Sequence, residues 1–333
     1  MTSGSPYGFR IVGDLSERRR LVDAGRALAG YCACADGSQV EREAYLSAFD
    51  FPGEFKAWMD AYGTPKGYAG SCRASYLWFD IDEADDLDAA HRAARRLAGA
   101  LLHRYRSLDE GDLLTFFSGS KGFHVGLPLA WGPSPSPTFN LTARRMAGCR
   151  AEEAGVKIDG GVYDKVRAFR APNSRHPKTG LHKRRLSHGE LMGLSLARIR
   201  DLAREPLPFD LPASGTADPT AAADWAREEA GARQEAEGKA RRHTDGKASG
   251  PTINRATFDF IRDGAGVGDR HRTLFSAAAN LAEFDSVPAL AHALLTEAGR
   301  DIGLSPSDVR RQIDCGLSHA RAPQTRTPED HAP

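Results

Sequence analysis

Six carboxylates, Asp80, Asp82, Glu83, Asp85, Asp86 and Asp88, fall within nine residues directly after the apolar run Tyr76-Leu77-Trp78-Phe79. Asp80-x-Asp82 at the end of such a run is what a two-metal phosphoryl-transfer site needs. It supplies hard oxygen ligands for Mg²⁺ or Mn²⁺ on a rigid element, close enough to bridge ions roughly 4 Å apart. Helix capping accounts for Asp85, Asp86 and Asp88, and an acidic surface turn is the plain alternative for the whole group. A solvated turn, however, does not require acids to interrupt Trp78-Phe79-x-Ile81. Further along the sign reverses. Residues 165–185 carry eight Lys/Arg (165, 167, 170, 175, 178, 183, 184 and 185), His176 and His182, and no acid. A cation-holding cluster and a polyanion-holding cluster in one chain point to phosphoryl transfer.

Two further segments carry candidate chemistry. Ser118-Gly119-Ser120-Lys121-Gly122-Phe123-His124 combines hydroxyls, a lysine and glycines that let backbone N–H groups approach an anion. It is not a Walker loop, because the G-x-x-x-x-G-K-[ST] spacing is missing and the turn leads into a strand. An ordinary glycine hairpin is its bland reading. Ile158-Asp159-Gly160-Gly161-Val162-Tyr163 adds a carboxylate in a strand-like context. Arg167 and Arg170 follow, three apart, and guanidinium groups grip phosphate oxygens bidentately. A solvated face explains Arg184 and Arg185 better than it explains Arg170, which sits among Phe169, Ala171 and Pro172.

The elements that must position these residues follow from periodicity. Residues 75–82 read as a buried strand whose period of two puts Asp80 and Asp82 on one face. Residues 87–105 read as a helix, with Ala90, Ala94, Leu97, Leu101 and Tyr105 at helical spacing and acids at its N-terminus. Strands over 113–117 and 123–127 flank the turn at 118–122. A Pro-rich loop over 132–138 precedes a helix over 141–154, and Val156, Ile158, Val162 and Val166 predict a return to strand. Upstream, helical patterning covers 17–29, with Ser16 as N-cap, and 41–61. Residues 206–252 read as a linker with a solvated helix near 224–241. Residues 253–320 read as a small all-helical domain and 321–333 as a polar tail.

Composition narrows the class. The 333 residues are 41% hydrophobic with a net charge of +1, so the chain can bury a core and any polyanion binding must be local. Five cysteines with no C-x-x-C spacing argue against a disulfide framework or a zinc knuckle and for a reducing compartment. With no run of signal-peptide or membrane-spanning length, the expectation is a cytoplasmic protein without a membrane partner.

Together the motifs over 76–186 resemble those of the archaeo-eukaryotic primase superfamily, which includes the small catalytic primase subunit, primase-polymerases and the polymerase domains of bacterial end-joining ligases. Asp80-Ile81-Asp82 resembles its first motif and Ser118 to His124 its second. Ile158-Asp159 resembles its third, with Ser174-Arg175-His176-Pro177-Lys178-Thr179-Gly180 matching an S-x-H-x-K-T-G signature. The chain departs from the pattern at Gly122, where the family often has a hydroxyl, so that role falls to Ser118 or Ser120. Asp164 competes with Asp159 as third acid, and the family's run after that acid favours Asp159. The zinc module of many members has no counterpart, and no structural zinc is expected. Gly268-Asp269-Arg270-His271-Arg272 is loosely similar to helical primase C-terminal domains.

The resemblance implies an α+β catalytic domain over 1–205, with an RRM-like sheet and a smaller α/β unit, followed by the helical domain. It implies a DNA-dependent nucleotidyltransferase that synthesises primers de novo. Asp80, Asp82 and Asp159 would hold two divalent ions, Mg²⁺ or Mn²⁺, one activating the attacking 3′-hydroxyl and one bridging the triphosphate. Lys121, His124, Arg167 and Arg170 would hold the NTP or dNTP, with Ser118, Ser120, His176, Lys178 and Lys183 as weaker candidates. The implied partners are single-stranded DNA template and, as candidates, a replicative helicase or other replication proteins. Alternatives are a primer-extending repair or end-joining polymerase, a non-catalytic replication-initiator or nucleic-acid-binding module, and a metal-dependent nuclease. Intact acids at all three motifs disfavour the non-catalytic reading, and the surplus of cations favours a nucleotide substrate over nuclease action.

Overall fold

The computed structural model describes residues 6–83, 86–212, 216–248, 252–266, 268–284 and 288–321. Asp85, the tail over 322–333 and parts of the expected linker (213–215 and 249–251) lie outside these. Contacts divide the chain between Ala236 and Glu237, and each unit is mixed or helical in its own right.

The first unit is α+β. Its elements are β1 (Tyr7–Val12), β2 (Arg20–Asp23), α1 (Ala24–Cys32), β3 (Ala44–Ser47), α2 (Gly53–Tyr62), β4 (Tyr76–Asp82), α3 (Leu87–Arg104), β5 (Leu114–Phe117), β6 (Gly122–Pro128), α4 (Phe139–Glu153), β7 (Ala168–Arg170), β8 (Arg184–Leu186), α5 (His188–Gly193), α6 (Leu196–Leu202) and the start of α7 (Pro219–Ala248). Two four-stranded antiparallel sheets result, ordered β2-β1-β3-β7 and β4-β6-β5-β8.

The second sheet is built by alternation. Leu77, Phe79 and Ile81 of β4 lie in register with Leu127, Val125 and Phe123 of β6. They share a core with Ala90, Ala94, Leu97 and Leu101, the apolar stripe of α3. The Asp86 side chain starts α3 by accepting from the Ala89 N–H at 2.8 Å. Because side chains alternate across a strand, Trp78, Asp80 and Asp82 occupy the opposite face. They stand in register with Gly126, His124 and Gly122. The strand order therefore positions two acids and a histidine together, on the face away from α3.

Three patterned segments fold otherwise than expected. Residues 17–29 are not one helix. Leu21 pairs with Phe9 at the sheet edge, and Asp23, not Ser16, caps α1 through the Arg26 N–H at 2.9 Å. Residues 41–61 divide into β3 and α2, since β3 is needed between β1 and β7 and Pro52 stands at the helix start. Residues 156–166 form no strand. Asp159 accepts from the Gly161 N–H at 2.8 Å and closes a 3₁₀ turn over Gly160–Tyr163.

The stretch expected to be solvated, around residue 224, is buried at its start. Ala221 and Trp225 of α7 enter the core. Asp224 accepts from Arg104 Nε at 2.7 Å, Arg150 Nη1 at 2.8 Å and the Tyr105 hydroxyl at 3.0 Å. The scarcity of large apolar side chains in this stretch hid the contact, because charged groups make most of it.

The second unit holds α8 (Arg255–Asp263), α9 (Arg270–Ala282), α10 (Pro288–Asp301) and α11 (Pro306–Arg321). Phe260, Leu274, Leu281, Leu295, Val309 and Ile313 form its core, whereas Phe258, Leu290 and Leu294, which the helical spacing would also bury, are exposed; Asn254 caps α8 through the Thr257 N–H at 2.8 Å. Among the described residues, no helix is long and apolar enough to cross a membrane.

Candidate active site

A cleft of about 530 Å³ opens on the face of β4 and β6 that points away from α3. Asp80, Asp82, Ser118, Ser120, Lys121, His124, Asp159, Arg167, Arg170 and His176 all line it. Residues up to 96 positions apart are thus gathered by two sheets and the turns and loop beside them.

Asp80 and His124 are cross-strand partners, with His124 Nε2 3.3 Å from Asp80 Oδ1. Both are largely buried, and neither Asp80 Oδ1 nor His124 Nδ1 has a hydrogen-bond partner. Burial opposes the charged form of Asp80, but His124, Lys183 and Lys121 outweigh it and hold the carboxyl below its usual range. Burial, helped by Lys183, pushes His124 down against the pull of Asp80. Buried polar atoms without hydrogen-bond partners are rare in folded proteins.

The other two acids are each met by a cation. Lys121 Nζ lies 2.7 Å from Asp82 Oδ2, and this hydrogen bond raises the lysine above its ordinary value. The Asp159 backbone N–H donates to the Asp80 carbonyl at 2.8 Å, which docks the third motif on β4. Arg167 Nη2 stands 3.8 Å from Asp159 Oδ2. Asp164 lines the same cleft, so both contenders for third acid are present. Asp159 is the one whose backbone is hydrogen-bonded to β4.

The turn before β6 uses its hydroxyl locally. Ser118 Oγ accepts from the Gly122 N–H at 3.2 Å and the Ser120 N–H at 3.4 Å, while both Ser118 and Ser120 line the cleft. On the opposite wall, Arg170 Nη2 donates to the Tyr45 hydroxyl at 3.0 Å and to Glu43 at 3.4 Å, with its guanidinium 4.9 Å from the Tyr45 ring centroid. His176 Nδ1 accepts from the backbone N–H groups of Lys178 and Thr179 at 3.3 and 3.4 Å. That leaves Nε2 to carry its proton. Burial and Arg170 hold this histidine below its ordinary value.

Two expected site residues are elsewhere. Lys178 does not line the cleft, and Lys183 is only 1% exposed. Arg19, Tyr45 and Lys66 do line it and were not legible from spacing. The first sheet delivers Tyr45, and only the turn Pro65-Lys66-Gly67 offered a local signal. No group of three or more His, Cys, Asp or Glu side chains is already gathered at metal-holding spacing among the described residues.

No family model matches the chain, and no curated protein matches it. A solved structure described as the crystal structure of primase RepB′ is similar over 95% of this chain and 92% of its own, at 14% identity and a TM-score of 0.33. That similarity is too low to bear on function.

Proposed function

We propose that this chain is a DNA-dependent nucleotidyltransferase that starts primers on single-stranded DNA from NTPs or dNTPs. Supporting the reading is the convergence of the acids Asp80, Asp82 and Asp159 with the cations Lys121, Arg167 and Arg170 in a single cleft. Acids alone would suit many metal sites, whereas acids faced by several cations suit a metal-bound triphosphate. In this reading the sheet of β4, β5, β6 and β8 is the RRM-like catalytic sheet and that of β1, β2, β3 and β7 the smaller unit.

Asp80, Asp82 and Asp159 would hold Mg²⁺ or Mn²⁺. An all-oxygen carboxylate set fits a hard divalent cation, and Asp80 Oδ1 is a buried acceptor that receives no hydrogen bond, with His124 Nε2 standing 3.3 Å away. When bound, such ions supply charge neutralisation and activation of a 3′-hydroxyl. Lys121 and Arg167 would release Asp82 and Asp159 and turn to phosphate oxygens, while Arg170, anchored by Glu43 and Tyr45, presents a fixed guanidinium to the triphosphate. His124 would donate to an anion beside Asp80. Template strand would follow the basic segment that ends in β8, and the helical unit would capture template or the first nucleotide.

The Lys121–Asp82 pair favours a second reading, since a lysine on a metal-motif acid also suits a non-catalytic nucleic-acid-binding module. Synthesis on unprimed single-stranded DNA with Mg²⁺ or Mn²⁺, using labelled ribo- and deoxynucleotides separately, distinguishes the two. Short products that vanish in the Asp80→Ala/Asp82→Ala protein are expected. Products only on primed templates would mean a repair polymerase, and no product on either would leave the binding module.

A further inference from the structure

Lys183 precedes β8 in the catalytic sheet, and its side chain is buried among aromatic rings. Its Nζ lies 4.2 Å from the ring centroid of Phe169, 4.8 Å from that of Phe116 and 5.4 Å from that of Trp78. It donates to the Arg170 carbonyl oxygen at 2.8 Å. Phe169 and Arg170 belong to β7 in the other sheet, so this one side chain joins the two sheets beneath the cleft. The path continues upward, because the Phe169 ring lies 4.4 Å from that of His124. An apolar residue would fill the same cage without the desolvation that a buried ammonium suffers. A cation here has a use beyond packing, since ring faces and a carbonyl attract a charge and fix its neighbours in place.

We propose that Lys183 is a positioning residue: it clamps the end of β7 against the sheet that carries Asp80, and thereby sets Phe169 against His124 and Arg170 at the cleft wall. What Arg170 then holds rests on the nucleotidyl-transfer reading, whereas the clamp itself does not.

The test compares full-length wild type with Lys183→Met, which keeps the unbranched stem but removes the ammonium, and Lys183→Arg, which keeps charge and donors. Amide hydrogen exchange reads the clamp. Exchange across residues 168–170 speeds up by about tenfold in Lys183→Met while β4 and β6 are unchanged, because local opening free energies report local contacts. Pyrophosphate affinity, measured by calorimetry, reads the consequence. It falls about tenfold in Lys183→Met, the size of one lost charge-assisted contact, and stays within about threefold in Lys183→Arg. If Lys183 acts through Arg170, the Lys183→Met/Arg170→Ala protein binds within about twofold of Arg170→Ala alone, since residues acting in one unit do not add.

Unchanged exchange in β7, or losses that multiply in the double variant, overturns the proposal. A wild type that binds no pyrophosphate sinks the nucleotidyl-transfer reading and leaves the exchange result to decide the clamp. Should Lys183→Met fail to fold, Lys183→Gln takes the same measurements.

Discussion

His124 stands directly opposite Asp80 across the β4–β6 ladder, with Nε2 3.3 Å from Oδ1, and its Nδ1 has no hydrogen-bond partner. The pair is assembled by register alone, from residues 44 positions apart in sequence. A slip of one residue would send both side chains into the apolar core beneath α3. The alternation that builds the core therefore also builds the site.

Asp80→Asn should separate chemistry from folding. The amide keeps the shape of the carboxyl and its contact with His124 but removes the charge needed to bind a divalent cation. Synthesis should fall at least on the order of 10²-fold, the cost of losing one electrostatic contact to a transition state. The urea midpoint should report a stability change below about 2 kcal/mol, within the range for a hydrogen bond to a charged group. Retained synthesis with a large loss of stability would make Asp80 a structural acid.

Gly122→Ala should harm both. A Cβ at Gly122 would collide with the Ile81 carbonyl oxygen and with Asp82 Oδ1, and neither the β4 backbone nor the acid can retreat without disturbing the pair of aspartates. Overpacking of this kind costs about 1–3 kcal/mol. The expected outcome is a lower urea midpoint and slower synthesis, with Ser120→Ala, in the same turn, as the milder control. The glycine at this position thus has a physical cause, which is the close approach of β6 to β4.

What could be read in the sequence was whatever a period of two or of 3.6 carries. Asp80 and Asp82 on one face, the stripe of α3, and the hairpin around Ser118 to Gly122 all follow from spacing. Segments whose fate is decided by distant partners were not legible. Leu21 and Val22 look helical until β1 lies beside them, and Val162 looks like a strand until Asp159 caps the turn it enters. Lys183 sits in a basic run that reads as solvated or anion-binding. Nothing local reveals that Trp78, Phe116 and Phe169 close around it. Tyr45 and Glu43 were equally hidden, because their link to Arg170 spans 125 residues or more.

Asp224→Ala should be among the most damaging changes in the chain. The carboxylate ties α7 to Arg104, Tyr105 and Arg150, and Arg150 is itself only 4% exposed. Removing it leaves the buried Arg150 with Glu153 as its remaining acid, Nη2 to Oε1 2.8 Å, and breaking a buried ion-pair network of this kind costs up to about 3–5 kcal/mol. Burial alone would raise this acid, but Arg104, Tyr105 and Arg150 outweigh it and bring it to about 2 from an ordinary 3.8. Its folded value is depressed, so its contribution is fully present above about pH 4 and is lost as pH falls towards 2. Urea denaturation at pH 7 and pH 3 should show a difference between wild type and Asp224→Ala that shrinks at the lower pH.

Lys183 predicts the opposite trend, at the alkaline end. Burial first, and Arg170 as well, hold its ammonium down to about 7 against an ordinary 10.5, with Asp80 pulling the other way. Below about pH 7 the lysine is protonated whether the chain is folded or not, and the folded state bears the full cost of a buried charge. Between about pH 7 and 10.5 the unfolded chain binds a proton that the folded chain does not, so stability rises with pH there. Lys183→Met lacks this contribution, while every other titrating group is common to both proteins. The unfolding free energy of wild type relative to Lys183→Met should therefore increase between pH 6.5 and pH 9.5. A difference that stays flat would mean that the aromatic cage and Asp80 stabilise the ammonium as well as water does, and a difference that falls would mean that they stabilise it better.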